Sequence, residues 1–238
     1  MEPQDEEKDR VREIIGEARS QGRKFLTEHE SKETLEAYGI PTNRELIAVN
    51  MDEAVRSAKK IGFPVVLKVY SPEIIHKSDL GGVFTGLKTV SEVKDAYRKI
   101  MENVKANRPE VKVLGVLVEE MIPKGYEVIV GAIRDAQFGP AVMFGLGGVF
   151  TEVLKDVSFR LAPLSKREAL RMIKEPKGFK ILEGYRGERP ADLDGLAEVI
   201  IKVGRIIMDL QEVTEIDVNP LIVHSRGLSA VDARIVLS

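Results

Sequence analysis

Oxygen-bearing side chains recur near the C-terminus with the period of a β-strand. Glu215, Asp217 and Asn219 alternate along one run, so a strand would carry all three on one face. A short turn at residues 225–227 would return the chain as a hairpin and place Asp232 directly opposite Asn219 or one residue off register. Oxygen ligands that converge in this way suit Mg²⁺, which takes few protein oxygens beside phosphate and water. An ordinary polar sheet face would show the same pattern.

A lysine and a histidine follow each other closely in the first half of the chain. Lys68 lies inside the apolar run 64–70, where an ammonium has to reach solvent or meet an anion, because burying it alone is costly. His76 stands in a polar stretch that ends in Gly81 and Gly82, whose backbone is free to approach a ligand. A histidine in such a loop can act as acid, base or nucleophile, although most loop histidines are simply solvated.

Two further segments place charged residues next to apolar runs. Glu119 and Glu120 end one predicted strand, and Glu127 enters the next, where a carboxylate could bind a pair of ribose hydroxyls. A Gly-rich turn at residues 145–148 follows another strand, and Arg160 beyond it could bind an anion or only line a strand. Each segment by itself favours a structural role, but together they provide what is needed to hold a nucleoside triphosphate.

Composition restricts the classes of function. The 238 residues include 36 Lys and Arg against 38 Asp and Glu, and this balance gives no global field to attract nucleic acid or an anionic membrane. The absence of cysteine excludes thiolate catalysis and cysteine-bound metal centres, and three histidines are too few for a histidine-rich metal cage. No run approaches the roughly 18 apolar residues of a membrane span, and the N-terminus has no apolar signal region. We therefore expect a cytoplasmic protein without nucleic-acid or membrane partners.

The order of predicted elements indicates the α+β class, because helices are mixed with antiparallel hairpins and do not alternate strictly with strands. Capping boxes that begin at Thr27 and Ser165 mark two helix starts, and Ser91 is expected to cap a third helix that runs to about residue 101 or 104. A long helix is predicted at about 192–210. Strands are predicted at 44–49, 64–70, 83–90, 112–122, 126–135 and 140–146 and in the C-terminal hairpin.

Five ordered blocks over more than 200 residues identify a family resemblance. They are VVLKVYSP (65–72), IIHKSDLGGV (74–83), VEEMIPKGYEVIVGA (118–132), FGLGGVFTEVLKDVSFRLAPL (144–164) and EIDVNPLIV (215–223). In these blocks the chain resembles the ATP-grasp family, and most closely the β subunits of ADP-forming acyl-CoA synthetases of the acetate–CoA ligase type. The resemblance implies an acid–thiol ligase that interconverts acid, CoA and ATP with acyl-CoA, ADP and phosphate through an acyl phosphate.

The resemblance also implies an ATP-grasp fold in which two α+β subdomains grip a nucleotide between them. A helical extension (1–22) would precede an ATP-grasp domain (23–238). In that domain a lid subdomain at approximately 42–118 would be inserted into a larger subdomain formed by 23–41 and 119–238.

Individual roles follow from the same resemblance. His76 matches the loop histidine that relays the phosphoryl group, Lys68 matches a lysine on the nucleotide phosphates, and Glu127 matches the ribose-binding acid. Asn219 and Asp232 match the Mg²⁺ ligands. The remaining nucleotide-binding residues are the hinge that receives adenine, largely by its backbone, together with the glycines and the arginine described above: Glu119, Glu120, Met121, Ile122, Gly81, Gly82 and Arg160.

The partner of the His76 imidazole and the class of ligase are left open by the residues alone. Asp79, Glu152 and Asp156 could each orient the second nitrogen of His76. The chain lacks the C-terminal CoA-ligase lobe of succinate–CoA ligase β subunits, so the resemblance implies activity only with a CoA-binding α subunit, in an α₂β₂ heterotetramer with ATP or ADP and Mg²⁺ as ligands. Two alternatives are another ATP-grasp carboxylate ligase without a phosphohistidine relay and a non-catalytic nucleotide-sensing subunit.

Overall fold

The computed structural model describes residues 5–148, 155–184 and 187–238. The chain divides into two compact units, which we call unit 1 (Met1–Thr42 and Lys124–Ser238) and unit 2 (Asn43–Pro123). Each unit contains an antiparallel sheet and helices that pack on it, and this confirms the predicted α+β class. Among the described residues, no helix combines the length and the apolar character that crossing a bilayer requires.

Unit 2 is a four-stranded sheet with two helices. The sheet order is β1 (Glu45–Ala48), β4 (Gly115–Glu120), β2 (Val65–Tyr70) and β3 (Val83–Leu87), so β2 is an inner strand. Helices α3 (Met51–Ile61) and α4 (Val90–Asn107) bury apolar side chains in the same core, including Ala58 and Ile100.

The start of α4 corrects one prediction. Thr89, and not Ser91, is the N-cap, because Thr89 is the residue with extended backbone and its hydroxyl accepts a hydrogen bond from the Glu92 N–H at 3.2 Å. Val90 therefore belongs to the helix, and strand β3 ends at Leu87.

Unit 1 is a larger sheet covered on one face by helices. The order is β10 (Ala233–Leu237), β8 (Val213–Val223), β5 (Tyr126–Asp135), β6 (Gly139–Leu146) and β7 (Val157–Leu161), and β9 (Leu228–Ala230) also pairs with β8. Strand β7 was not among the predicted strands. Its helices in the described ranges are α1 (Asp5–Ser20), α2 (Glu28–Ala37), α5 (Lys166–Ile173) and α6 (Leu193–Asp209).

Local signals explain where these helices begin. Both predicted capping boxes are present, at Thr27–Glu30 before α2 and at Ser165–Glu168 before α5. Helix α6 buries a stripe of apolar residues against alternate residues of β5 and β6, such as Val130 and Val142, and the opposite face of those strands is left open. We call that opposite face the open face.

The register of the sheet defines rows of neighbours across the open face. In one row Arg234, Asp217, Gly131, Met143 and Phe159 face each other across five strands. A second row consists of Val236, Glu215, Ile133, Ala141 and Leu161. In these rows the β8 and β10 positions are charged except for Val236, whereas the β5, β6 and β7 positions are all apolar.

Candidate functional site

His76 is exposed in the connection between β2 and β3, and both ends of this connection are anchored. At one end the Ser71 hydroxyl donates a hydrogen bond to the Lys112 carbonyl at 2.8 Å, and Ile74 is buried in the unit 2 core. Beyond the histidine, a short 3₁₀ turn covers Ser78–Leu80. The imidazole is thus presented to solvent from a loop with fixed ends, which suits a group that must meet a second reactant.

Gly81 and Gly82 close this loop for packing reasons that the structure makes explicit. Gly81 has a left-handed backbone (φ 61°), and its carbonyl accepts a hydrogen bond from the Asn103 amide at 2.9 Å. A Cβ on Gly82 would lie 2.7 Å from a methyl group of Val69 and 2.9 Å from the Lys77 carbonyl oxygen. Gly82 therefore packs the base of the loop against β2, and Gly81 ties it to α4; the expected approach of a ligand to these glycines stays a prediction.

Lys68 is buried in unit 2 and pairs with Glu119. The residue is 6% exposed, Glu119 is fully buried, and Nζ lies 3.2 Å from Oε2. The two side chains share a face of neighbouring strands, since Val66 is opposite Glu119 and Lys68 is opposite Leu117. Lys68 meets the anion that its burial requires, and this anion is a protein carboxylate.

Asn43 fixes the orientation of this carboxylate. Its amide nitrogen donates to Glu119 Oε2 at 2.9 Å and to the Glu120 carbonyl at 3.1 Å, and the residue is only 2% exposed. Removing one partner of a buried ion pair typically costs about 3–5 kcal/mol, so the pair restricts where the Lys68 ammonium can lie. The Glu119 side chain is therefore bound to other side chains of the protein, and its role at an adenine hinge stays a prediction.

The residues after Glu119 leave the strand and reach the surface. Glu120 accepts a hydrogen bond from Arg44 Nε at 3.0 Å, and this bond lowers the pKa of the Glu120 carboxyl below its usual value. Met121 is exposed and Ile122 is half-buried, in the irregular segment between β4 and β5. The chain passes from unit 2 to unit 1 within this segment, after Pro123.

Asn219 and Asp232 are directly opposite each other in unit 1. Val218 pairs with Ala233 and Leu221 pairs with Ala230, and the Asn219 N–H donates to the Asp232 carbonyl at 3.1 Å. The sequence argument from the turn at 225–227 is confirmed for this register. An amide oxygen and a carboxylate on neighbouring backbones form a donor set that fits Mg²⁺.

Pro220 marks the point at which β8 changes its neighbour. Up to Val218 the strand pairs with β10, and from Leu221 it pairs with β9. On the other side of β8 the pairing with β5 shifts register between Val128 and Val130. Proline has no N–H for a regular ladder, and Pro220 lies at this irregularity although β8 is an inner strand of the sheet.

Asp217 is the acidic residue of the open face whose environment is most unusual. Burial raises its pKa, the nearby Arg234 lowers it, and the charges of Glu215 and Asp232 raise it further. The sequence placed Asp217 on the same strand face as Asn219 without assigning it a role. The signal that would have selected it is the inner position of β8, which is a property of the sheet and not of the local sequence.

Glu127 is exposed at the start of β5, and the Gly-rich turn packs against its backbone. The Gly147 N–H donates to the Glu127 carbonyl at 2.8 Å. A Cβ at Gly147 would lie 2.9 Å from the Glu127 Cβ and 3.0 Å from its carbonyl oxygen. The turn thereby fixes the position from which the Glu127 carboxylate projects.

The structure does not bring Arg160 together with the other predicted residues. Arg160 is opposite Val142, whose side chain is in the core, so it projects from the face of β7 opposite to the open face. Its guanidinium forms an ion pair with Glu175 through both terminal nitrogens, one of them at 3.0 Å. This ion pair agrees with the alternative that Arg160 lines a strand.

The three carboxylates considered for His76 have different positions. Asp79 is exposed within the 3₁₀ turn of the His76 loop. Asp156 accepts hydrogen bonds from the backbone N–H groups of Lys177 and Gly178, each at 3.0 Å, so both its oxygens have local partners. Glu152 lies outside the described residues.

Comparison with known proteins gives consistent matches over nearly the whole chain. The ATP-grasp domain matches residues 17–237. The β subunit of ADP-forming acetate–CoA ligase I from Pyrococcus furiosus is 50% identical over 228 residues, which cover 96% of this chain and 98% of that protein.

Two solved structures are similar in both fold and sequence. Acetyl-coenzyme A synthetase 1 of Candidatus Korarchaeum cryptofilum, in complex with coenzyme A and Ca-AMPCP, matches with a TM-score of 0.94 and 49% identity, over 96% of this chain and 100% of that chain. A second structure of that enzyme contains coenzyme A and Mg-AMPPCP, with its phosphohistidine segment pointing towards the nucleotide-binding site. It matches with a TM-score of 0.84 and 46% identity, over the same shares of the two chains.

The matches cover both units and include the His76 loop, the Lys68 strand and the terminal hairpin. They confirm the ATP-grasp fold and support nucleotide binding. The chain belongs to the ATP-grasp family and, within it, to the β subunits of ADP-forming acetate–CoA ligases.

Proposed function

We propose that the chain is the nucleotide-binding subunit of an ADP-forming acyl-CoA synthetase and that His76 carries the phosphoryl group between the nucleotide and a partner subunit. The overall reaction converts an acid, CoA and ATP into acyl-CoA, ADP and phosphate, and it runs in both directions. Because phosphoryl transfer needs charge neutralisation and positioning more than covalent chemistry from the protein, the residues that hold phosphate decide the rate.

The single observation that carries the relay is the presentation of His76. An exposed imidazole on a loop with fixed ends can meet a phosphohistidine from another subunit, and a histidine nitrogen is a nucleophile that can accept the phosphoryl group. In the direction of ATP synthesis, the N–P bond of the partner's phosphohistidine breaks as a new N–P bond forms on His76. The N–P bond on His76 then breaks as an O–P bond forms to the β-phosphate of ADP, which yields ATP and restores the imidazole of His76.

Several of the residues described above would contact the nucleotide. Lys68 supplies a positive charge to the phosphates, and the Glu119 pair sets its position. Glu127 accepts hydrogen bonds from the ribose hydroxyls, and the backbone of residues 119–122 receives adenine. Gly81 and Gly82 keep the His76 loop next to β2.

The metal would be held by Asn219 and Asp232, whose amide and carboxylate oxygens suit Mg²⁺. When bound, the ion supplies compensation for the negative charge of the phosphates. Asn219 and Asp232 would fix the position of the ion from adjacent backbone segments.

The partner is a CoA-binding α subunit, in a heterotetramer of two α and two β subunits. Its support is that the P. furiosus relative is named as a β subunit. The related K. cryptofilum enzyme was solved with coenzyme A and a phosphohistidine segment. The acid and the preferred direction of the reaction depend on that partner and on the cell.

Phosphate mapping tests the proposal. The chain is incubated with Mg-ATP, with and without the CoA-binding subunit of the same organism, and acid-labile phosphate is located by mass spectrometry. We expect phosphate on His76. In His76→Ala the phosphate and the ATP-dependent turnover should be lost, whereas ADP binding should be retained because the histidine lies on the loop and not on the adenine hinge.

His224 provides a matched control, because it is a second histidine in a different part of the chain, on unit 1. His224→Ala should keep the phosphate on His76. Retained turnover in His76→Ala with the partner present would contradict the relay, and an ATP-grasp ligase that forms its acyl phosphate directly would then be the better explanation.

A further inference from the structure

The open face of the unit 1 sheet carries an apolar surface that no role described so far uses. In its two central rows, strands β5, β6 and β7 present only apolar residues: Gly131, Ile133, Ala141, Met143, Phe159 and Leu161. We call this the β5–β7 surface. Phe159 is 53% exposed and Leu161 is 54% exposed.

Exposed apolar residues of unit 1 are concentrated at this one place. Among the residues that the structure describes, the large apolar side chains of unit 1 that are exposed are Ile133, Phe138, Phe159 and Leu161. The first, third and fourth lie on the β5–β7 surface, and Phe138 lies in the β5–β6 turn at the same end of the sheet. A concentration of this kind marks an interaction site, whereas single exposed apolar residues do not.

The turn that carries Phe138 is ordered. Asp135 Oδ1 accepts hydrogen bonds from the N–H groups of Gln137 at 2.8 Å and Phe138 at 2.9 Å. These two bonds lower the pKa of the Asp135 carboxyl. An aromatic ring that is 69% exposed is therefore held outward by a fixed turn, which reduces the entropy that a partner would have to remove.

The position of the surface identifies its occupant. Met143 and Phe159 share a row with Asp217, and Ile133 is directly opposite Glu215. Three strand spacings separate Phe159 from Asp217, a distance of about 14 Å. Asn219 follows Asp217 along strand β8, so a partner that passes a phosphoryl group through His76 to a nucleotide at the Asn219–Asp232 hairpin has to lie near this part of the sheet.

The chemistry of the surface agrees with a protein partner. Interface cores are depleted in charged residues and enriched in aromatic residues and methionine, and the β5–β7 surface has this composition in a chain that is 31% charged. The side chains nearest to it along the rows are the acidic Asp217 and Glu215, which do not suit an anionic membrane or nucleic acid.

We propose that the β5–β7 surface is the docking site for the CoA-binding α subunit and that Phe159 and Leu161 are its central contacts. The inference rests on the proposed function. Docking here places the partner beside Asp217 and Glu215 and leaves the Asn219–Asp232 hairpin accessible to the metal and nucleotide.

The test measures association separately from nucleotide binding. Phe159→Ser and Leu161→Ser are compared with wild type by sedimentation and by surface plasmon resonance against the purified α subunit of the same organism. ADP affinity is measured in parallel by calorimetry. Because both side chains point to solvent, we expect folding and ADP affinity to stay unchanged, while the affinity for the α subunit falls at least about 30-fold for Phe159→Ser.

Val49→Ser is the matched control, since Val49 is equally exposed at 59% but lies on unit 2. It should bind the α subunit as wild type does. Unchanged association of both unit 1 variants would overturn the docking site and leave the proposed function standing. A wild-type dimer that the variants abolish, with association to the α subunit unchanged, would assign the surface to a second copy of this chain. Failure of the wild type to bind the α subunit would contradict the proposed function itself.

Discussion

The close packing of Gly147 against Glu127 gives a direct test of how the nucleotide site is built. The substitution Gly147→Ala adds one methyl group where the nearest atoms are the Cβ, carbonyl oxygen and carbonyl carbon of Glu127, at 2.9, 3.0 and 3.1 Å. Gly147 needs no unusual backbone conformation, because its φ is not positive. The effect of the substitution therefore comes from this contact.

The distances set the size of the effect. Non-bonded carbon atoms prefer about 3.5–4.0 Å, so either the turn or the start of β5 has to move by roughly half an ångström or more. Overpacking of this kind typically costs about 1–3 kcal/mol. If the displacement is expressed at Glu127, the affinity for ADP should fall by about 5- to 150-fold, since 1.4 kcal/mol corresponds to a factor of ten. If it is expressed as stability, the melting temperature should fall by about 2–12 °C.

Calorimetry of ADP binding and thermal unfolding together capture both outcomes. Gly16→Ala is the control with the same chemical change, because Gly16 lies within α1 and a Cβ there has no atom within 4 Å. It should leave ADP binding unchanged and stabilise the protein by about 0.5–1 kcal/mol through helix propensity. Wild-type affinity and melting temperature for Gly147→Ala would refute the argument that the Gly-rich turn positions Glu127.

Three further predictions concern the metal, a helix end and acid. Asp232→Asn should raise the Mg²⁺ concentration needed for half-maximal ADP binding by at least about tenfold, measured by titration at fixed ADP. Arg134→Met should lower the free energy of unfolding in urea by about 2–4 kcal/mol, because the guanidinium donates to three backbone carbonyls at the end of α6 and the start of β8. The control Arg98→Met breaks an exposed ion pair and should change the free energy of unfolding by less than about 0.5 kcal/mol. Burial raises the pKa of Glu30, but the hydrogen bonds from Arg23 and from the capping box outweigh burial and hold this pKa below the usual 4.5. The ionised Glu30 carboxylate therefore stabilises the folded protein above pH 4.5, and this stabilisation is lost as the pH falls through the lower pKa of the folded state. Glu30→Gln should therefore flatten the loss of stability below about pH 4.5, and an unchanged pH profile would contradict this.

Much of the fold could be predicted because its signals are local. The capping boxes at Thr27 and Ser165 are defined by four residues each, and both are present. The register that opposes Asn219 and Asp232 depends only on the length of one turn. The choice between Thr89 and Ser91 as the N-cap of α4 is less clear from the sequence, because both are good N-cap residues and only the end of β3 decides between them.

Features that depend on pairing between distant strands could not be predicted. Lys68 and Glu119 meet because β2 pairs with β4, and the sequence gives no register for strands that are separated by β3 and α4. The ion pair of Arg160 with Glu175 depends in the same way on how the segment after α5 returns to β7. Segment 157–161 was not predicted as a strand, because only Ser158 of β7 is buried and the position of this strand at the edge of the sheet depends on its pairing with β6.

The division of unit 1 into two chain segments has a consequence for the order of folding. Its core needs residues from before Asn43 and from after Pro123, so all of unit 2 has to be looped out before that core can close, at an entropic cost that grows with the length of the loop. Unit 2 removes this cost when it forms early. The Glu120 N–H donates to the Arg44 carbonyl at 2.8 Å, and the Asn43 amide donates to the Glu120 carbonyl, so a formed unit 2 already holds its entry and exit side by side. Once unit 2 has formed, the two segments of unit 1 start from neighbouring points, and contacts between residues far apart in sequence become effectively local.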